Sequence, residues 1–523
     1  MRANGKHRVL IAGGGVAALE AALALRDLAA DRVAVELLAP EQHFSYRPMS
    51  VAAPFELGEA VRFELDELVR QVGASFTLGA LTGIDDWRHF AYTSTNRQIA
   101  YDTLLVACGA LPFPAIPGAL TFRGAADIEP VEHLLEEVVR GDVRSVAFVI
   151  PWGAVWSLPA YELALLTATY VCERGVQGVR ISLVTPEAEP LQLFGRPAGE
   201  AVHALFAEHD LRLRTGAYAR RFANGELELI PEGRISADRV VALPRLQGAR
   251  IDGLPQTVEG FIPVDGHCHV HGVADVFAAG DITSFTVKQG GIAAQQADVA
   301  AAAIAAAAGA SVTPQRFRPV LRGLLLTGRQ PRYLRREFSV QPEHEPIASY
   351  EPLWWPSAKI VGNHLTPFLA SQATVEASSS PGDPFSGAVP LEVELDREVL
   401  EGSTSSRLAF EYDVYEQDAG VGEIMSDPLV VAPEDTLGEV AERVLKRGAT
   451  AAAVAEYGNL IGILTAGDIV RASAMRVHPS EARVRQWMTA EPVTVAANSS
   501  VAAAAVLARE YGIHHLPVVE GDR

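Results

Sequence analysis

The sequence predicts an α/β protein. Two dinucleotide-binding units stand on parallel sheets, the first interrupted in sequence by the second, and an interface region and a C-terminal α/β repeat follow. Three observations predict this. A glycine turn, Gly13-Gly14-Gly15, leaves an apolar strand and opens an alanine-rich helix. Phe277-Ala278-Ala279-Gly280-Asp281 answers it about 265 residues later with an aspartate at a strand end. From Val421 the chain repeats itself with a period of about 63 residues.

The opening fits G-x-G-x-x-A over Gly13, Gly15 and Ala18, between a strand at Val9 to Ala12 and a helix at Ala18 to Leu28. Glycine lets the backbone approach a pyrophosphate, and the helix N-terminus offers free N–H groups and the positive end of its dipole. The second block places Asp281 after a strand at Val276 to Ala279 and before a helix that opens near Gly290-Gly291. An acidic group there holds the ribityl hydroxyls of a flavin, so the two blocks together predict one FAD site. The FAD-binding unit is expected over 1–120 and 255–310, around an inserted Rossmann-like unit at 121–254. In that insert a strand at Ser145 to Ile150, a helix at Ala160 to Arg174 and a strand at Val179 to Thr185 repeat the first half in outline. Leu38-Ala39-Pro40-Glu41 and Val184-Thr185-Pro186-Glu187 end the second strands alike.

The insert departs from the motif where NAD(P)H phosphates would sit. Pro151 to Pro159 carries two tryptophans, Trp152 and Trp156, and only Gly153 of the glycine turn. Indole bulk and proline's missing N–H oppose close phosphate approach. The tryptophans equally suit a loop packed against the FAD unit.

Between these blocks, Tyr101 to Ala110 looks like the Ala-Thr-Gly strand of two-dinucleotide-domain flavoproteins, with Cys108 in the threonine's place and Gly109 retained. In order and spacing, residues 7–370 resemble the FAD-dependent pyridine nucleotide-disulfide oxidoreductase superfamily. Tyr46-Arg47-Pro48 and Lys288-Gln289-Gly290-Gly291 to Ala297 point to its sulfide:quinone reductase and type II NADH dehydrogenase branch. The resemblance implies FAD contacts from Gly13, Gly15, Ala18, Arg47, Cys108, Gly109, Gly280, Asp281 and Gly291. Ala39 stands where the acidic partner of the adenosine ribose is expected, and Glu41 is the substitute. Glu162 takes the helix position of an acidic residue facing the nicotinamide region. Lys288 and the helix end near Gly291 are expected to stabilise negative charge on the reduced flavin.

Composition narrows the chemistry. The 523-residue chain carries a net charge of −20, which disfavours nucleic acid and a generally anionic membrane as partners. It lacks the run of roughly 20 apolar residues that spans a bilayer, and its N-terminus lacks a signal-like apolar stretch, so a cytoplasmic location is expected. Cys108, Cys172 and Cys268 form no C-x-x-C or C-x4-C pair, against disulfide-reductase chemistry. His267-Cys268-His269-Val270-His271 invites a metal reading, but no second ligand cluster completes it, and no metal is expected. Residues 312–336 hold seven arginines and no acidic residue. With Leu353 to Pro356, Lys359, Ile360, His364 and Phe368 they form an interface region at 311–370, suited to a homodimer or interdomain surface, or to peripheral membrane contact. A serine-, proline- and glycine-rich linker is expected from Ser371, within 371–420, and Leu391-Glu392-Val393-Glu394-Leu395-Asp396 is an edge strand or a charged spacer.

The repeat at 421–523 sets Ile424-Met425-Ser426-Asp427-Pro428 beside Trp487-Met488-Thr489-Ala490-Glu491-Pro492, each before an amphipathic helix and hairpin. It resembles a tandem cystathionine β-synthase (CBS) domain pair, which implies an adenine nucleotide held by Thr465 and Asp468 of Gly462-Ile463-Leu464-Thr465-Ala466-Gly467-Asp468. The second copy shows no such motif. The expected protein is an FAD-dependent oxidoreductase that takes electrons from a small-molecule donor, NAD(P)H among the candidates, and passes them to a quinone-like or protein acceptor. The rival is a non-catalytic flavoprotein sensor.

Overall fold

A computed structural model describes residues 5–58, 61–230, 233–338, 345–354 and 357–377, and, further on, 421, 428–447, 451–456, 459–465, 468–469, 482–490, 492–499, 503–504 and 515–519. Residues 378–420, with the predicted Leu391–Asp396 strand and most of the linker, lie outside the described residues, as do Trp355 and Pro356. The chain divides into two units, Met1–Val393 and Glu394–Arg523.

In the first unit a five-stranded parallel sheet runs in the order Val276–Ala278, Thr103–Val106, His7–Ala12, Val33–Ala39, Ser75–Leu78. Val9, Leu10, Ile11 and Ala12 are all buried, as a central parallel strand covered on both faces requires. The strand preceding Asp281 pairs beside Thr103–Val106, with Val276 opposite Leu104 and Ala278 opposite Val106. A late segment therefore completes the sheet that residue 7 begins. Helices Val16–Ala29 and Gly290–Ala307, both rich in buried alanine, pack against each other, and such small side chains let two backbones come close.

A second parallel sheet runs in the order Leu120–Thr121, Arg239–Ala242, Ser145–Val149, Arg180–Val184, Arg212–Arg214. Helix Leu158–Glu173 covers it, burying Tyr161, Leu163, Leu165 and Leu166. Beyond the Gly290–Ala307 helix come an antiparallel sheet, Val320–Leu325, Arg332–Glu337 and Ile347–Ser349, and the helix Leu365–Ala377. His267 to His271 forms a hairpin turn. Asp265 Oδ1 accepts from the backbone N–H groups of His267 and His269 at 2.8 and 2.9 Å, and Cys268 is buried in the core. Among the described residues no group of His, Cys, Asp and Glu could hold a metal ion, and no helix is long and apolar enough to cross a membrane.

In the second unit the strand Val430–Val431 runs parallel to Ala451–Glu456, which forms a hairpin with Asn459–Thr465. Helix Leu437–Arg447 buries Leu437, Val440 and Val444 against them. Thr436 and Glu439 cap it reciprocally: the Glu439 carboxylate accepts from Thr436 N at 2.9 Å, and Thr436 Oγ1 accepts from Glu439 N at 3.2 Å.

Candidate functional site

The glycine turn sits at the carboxyl edge of the first sheet, where an open α/β fold takes its ligands. Gly13 holds a φ of +144°, and a Cβ there would run into the Ala107 carbonyl oxygen. Gly15 faces open space, whereas a Cβ on Gly14 would come within 2.7 Å of Leu65 Cδ1. The turn is thus tight on its inner side and open on its outer side. Ala18 is fully buried one turn into the helix. The neighbouring strand ends are stitched alongside: Ala107 N donates to Ala12 O at 2.7 Å, and Ala279 N to Val106 O at 3.0 Å. Gly280, at φ +80°, leaves only 3.1 Å between an added Cβ and Ala17 Cβ. Gly13, Gly15, Gly109, Gly280 and Asp281 therefore gather at one sheet edge.

Cys108 follows Ala107 on that edge. The residue is exposed, yet its thiol is hemmed in deeply enough for burial to push it up to about 12, with the charge of nearby Glu41 adding to the rise. The structure thus brings Glu41, itself exposed, close to Cys108. Such a thiol is protonated at neutral pH and is no nucleophile.

Burial pushes the Asp281 carboxyl up, while the charges of Lys288 and Arg47 draw it down. Burial brings the Lys288 ammonium down to about 8 against the pull of Asp281. Lys288 Nζ donates to the Thr283 carbonyl and lies 4.1 Å from the centre of the Phe261 ring, so the lysine is turned into the protein beside the aspartate. The three glutamines that follow were assigned no role from sequence, and they build the frame. Gln289 Oε1 caps the Gly290–Ala307 helix by accepting from Ile292 N at 2.9 Å, and its Nε2 donates to Arg322 O at 3.2 Å. Gln295 exchanges two hydrogen bonds with the backbone of Val320. Gln296 Oε1 accepts from Gly280 N at 2.8 Å and fixes the aspartate turn. A Cβ on Gly291 would come within 3.0 Å of the capping Gln289 oxygen.

Glu162 is 1% exposed and pairs with Lys359, 8% exposed, at 2.7 Å. Its Oε1 also accepts from Leu326 N at 3.0 Å, and Lys359 Nζ donates to Pro48 O at 3.3 Å. Burial pushes the Glu162 carboxyl up, and Lys359 holds it down. Ile360 N donates to the hydroxyl of Tyr46 at 3.3 Å, and burial takes that hydroxyl up to about 12. Tyr46, Pro48, Leu326 and Lys359-Ile360 thus meet around the buried Glu162. Lys359 had been placed only in the interface region. The one signal that could have singled it out is a lone lysine in a stretch whose other cations are arginines.

The inserted unit's loop is occupied by its own side chains. Trp156 packs edge-on against Phe194 at 5.7 Å, and Trp152, 50% exposed, lies under the Arg245 guanidinium at 5.8 Å. Glu187 is the residue that sequence reasoning left unassigned. Its carboxylate accepts from Ser157 Oγ at 3.0 Å, Tyr161 OH at 2.7 Å and Thr185 Oγ1 at 3.0 Å. Burial pushes it up and those hydroxyls draw it down. Its match to Glu41 at the end of the second strand was the available signal.

In the second unit Thr465 and Asp468 bond to each other. Asp468 Oδ2 accepts from Thr465 N at 2.9 Å and from Thr465 Oγ1 at 2.8 Å. As found, the pair is a helix cap. In the arginine run, Arg329 pairs with Glu208 at 3.7 Å, Arg332 stacks on Tyr350 at 3.0 Å, and Arg336 donates to the carbonyls of Gln192 and Leu193.

A solved structure shares the fold of the first unit. The sulfide:quinone oxidoreductase of the hyperthermophilic bacterium Aquifex aeolicus superposes with a TM-score of 0.60 at 19% identity, over 66% of this chain and 86% of that one. A ferredoxin reductase of the CYP199A2 system from Rhodopseudomonas palustris gives 0.49 at 21%, over 63% and 82%. NDH2 from Plasmodium falciparum gives 0.45 at 14%, over 53% and 64%. No curated protein matches the chain in sequence. The CBS domain family matches residues 421–475 and 484–523. The pyridine nucleotide-disulphide oxidoreductase family matches residues 7–307, a span that takes in both parallel sheets and the Asp281 turn, and to that family the chain belongs.

Proposed function

We propose that the chain is an FAD-dependent oxidoreductase that passes electrons from a reduced small molecule to a quinone-like or protein acceptor. The observation that carries the reading is the meeting of the Gly13–Gly15 turn and the Gly280-Asp281 turn at the carboxyl edge of one sheet. The residues fit the cofactor. The outer face of Gly15 and the N-terminus of the Val16–Ala29 helix suit a pyrophosphate. Asp281 suits the ribityl hydroxyls, Glu41 the adenosine ribose, and Arg47, Cys108, Gly109 and Gly291 line the remainder. When bound, the flavin supplies hydride acceptance and its onward release as electrons.

The chain's own groups set the charge. Lys288, lowered to about 8, remains mostly protonated at neutral pH and offers positive charge at Nζ beside Asp281. Lys359 Nζ sets a positive charge 2.7 Å from the Glu162 carboxylate, with both side chains nearly closed to solvent. NAD(P)H is the donor that the inserted unit suits by fold, with Glu187 as the ribose partner. The Trp152–Trp156 loop weakens phosphate contacts and makes reduction slow. Thr465 and Asp468 take an adenine nucleotide only by giving up their mutual hydrogen bonds, which makes the second unit a regulatory element.

Anaerobic mixing of the FAD-loaded protein with NADH and with NADPH, followed by flavin absorbance, tests the reading. Slow bleaching, speeded by higher donor concentration, supports it. A purified protein that binds no flavin refutes it, and flavin that no donor can reduce favours the sensor reading, which the Glu187 contacts keep open.

A further inference from the structure

On the antiparallel pair Val320–Leu325 and Arg332–Glu337, Arg322 stands directly opposite Arg335. Alternation sends Leu321 and Leu325 into the core beside Phe194. Arg322 and Arg335 emerge, half-buried, from the other face. Like charges directly opposite destabilise a strand pair. Glu337 lies on the same face and forms an ion pair with Arg335. The Arg322 guanidinium forms no hydrogen bond or ion pair with any described residue, and its Nε is shut away from solvent. Its surroundings press against its charge, burial first and Arg335 next, with Glu337 opposing. A partly buried guanidinium whose nearest carboxylate is already paired with the opposing arginine is under-compensated, and a missing anion would explain it. In this it differs from Arg329, Arg332 and Arg336, each of which has a partner within the fold.

We propose that Arg322 and Arg335 form a binding site for a small oxyanion, the carboxylate or phosphate group of a low-molecular-weight ligand. A guanidinium presents a planar fork of donors matched to both groups, and two forks on directly opposed residues converge on one anion. Next along the same face, Tyr333 packs edge-on against Trp354 at 5.1 Å and supplies an aromatic wall. The strand beneath ties the site to the catalytic side of the unit. Arg322 O accepts from Gln289, and just past the strand's end Leu326 N donates to Glu162. Glu337 acts as the internal competitor for the same guanidinium pair.

The test is calorimetric titration of the full chain at constant ionic strength, once with inorganic phosphate and once with succinate. FAD is held at saturating concentration, so that phosphate cannot score at the Gly13–Gly15 turn. The expected result is saturable binding, one anion per chain, weakened about tenfold by Arg322→Gln or Arg335→Gln and tightened by Glu337→Gln. The stronger of the two titrations identifies phosphate or carboxylate as the natural group. Arg322→Lys keeps the charge without the fork and is expected to fall between wild type and Arg322→Gln, and it carries the comparison if the glutamine variant does not fold. Failure of both anions to saturate, or affinities unchanged in a folded Arg322 variant, overturns the site whether or not the protein binds flavin.

Discussion

Replacing Lys359 by methionine removes the cation from a pair whose members are 8% and 1% exposed and 2.7 Å apart. At an effective dielectric of about 20, two unit charges at that separation attract by about 6 kcal/mol. Removing both ions from water costs several kcal/mol each, so the intact pair is close to neutral for stability. The single variant is not neutral. It leaves the Glu162 carboxylate buried with only Leu326 N as a partner, and breaking such a pair destabilises by about 3–5 kcal/mol, a large fraction of the roughly 5–15 kcal/mol that holds a domain folded. Glu162→Gln/Lys359→Met removes both charges and keeps an oxygen for Leu326 N, so it should recover at least half of the loss. Urea unfolding of the three FAD-saturated proteins by circular dichroism measures these differences. Infrared spectroscopy adds an independent readout. With Lys359 gone, burial is opposed only by the Leu326 N hydrogen bond, and a protonated carboxyl stretch should appear at neutral pH. A Lys359→Met protein as stable as wild type, or a double variant no better than the single, would refute the reasoning.

Three further outcomes follow from the same geometry. Gly15→Ala places its methyl in open space, so the protein should fold as wild type yet retain less FAD through gel filtration; Gly13→Ala drives a methyl into Ala107 O and should not yield folded protein. Burial and Glu20 push Asp298 up to about 8, against the pull of Asn363; since an unfolded aspartate titrates near about 3.9, the folded chain binds the extra proton between these values and loses stability as pH rises through that window. Asp298→Asn should therefore be close to neutral near about pH 4 and increasingly stabilising toward about pH 8 in pH-scanned thermal melts, and an unchanging difference would contradict the assignment. Asp468→Ala removes the cap on Thr465 N and Thr465 Oγ1 and should destabilise the second unit by about 1 kcal/mol while abolishing adenine-nucleotide heats in calorimetry, whereas unchanged nucleotide binding would dissociate the motif from the ligand.

What the sequence disclosed depended on how local each determinant is. Gly13, Gly15 and Asp281 were legible because backbone geometry at a strand end admits few residue types, and glycine shows that restriction in one letter. The Val276–Ala278 strand was legible as a short apolar run ending in Gly-Asp, and its place in the first sheet followed from the resemblance. The buried contacts of Lys359 and Glu187 were not legible, because each depends on a partner far away in sequence. Nothing near Lys359 points to Glu162, 197 residues earlier. The glutamines Gln289, Gln295 and Gln296 escaped notice in a different way. They lie in the block that carried the resemblance, yet they bond to the chain's own backbone and frame the site. Arg322 marks the limit of such reading. Its neighbours in sequence make it one of seven arginines, and only the strand register, which sets it against Arg335 while its fellows find partners, separates it from the rest.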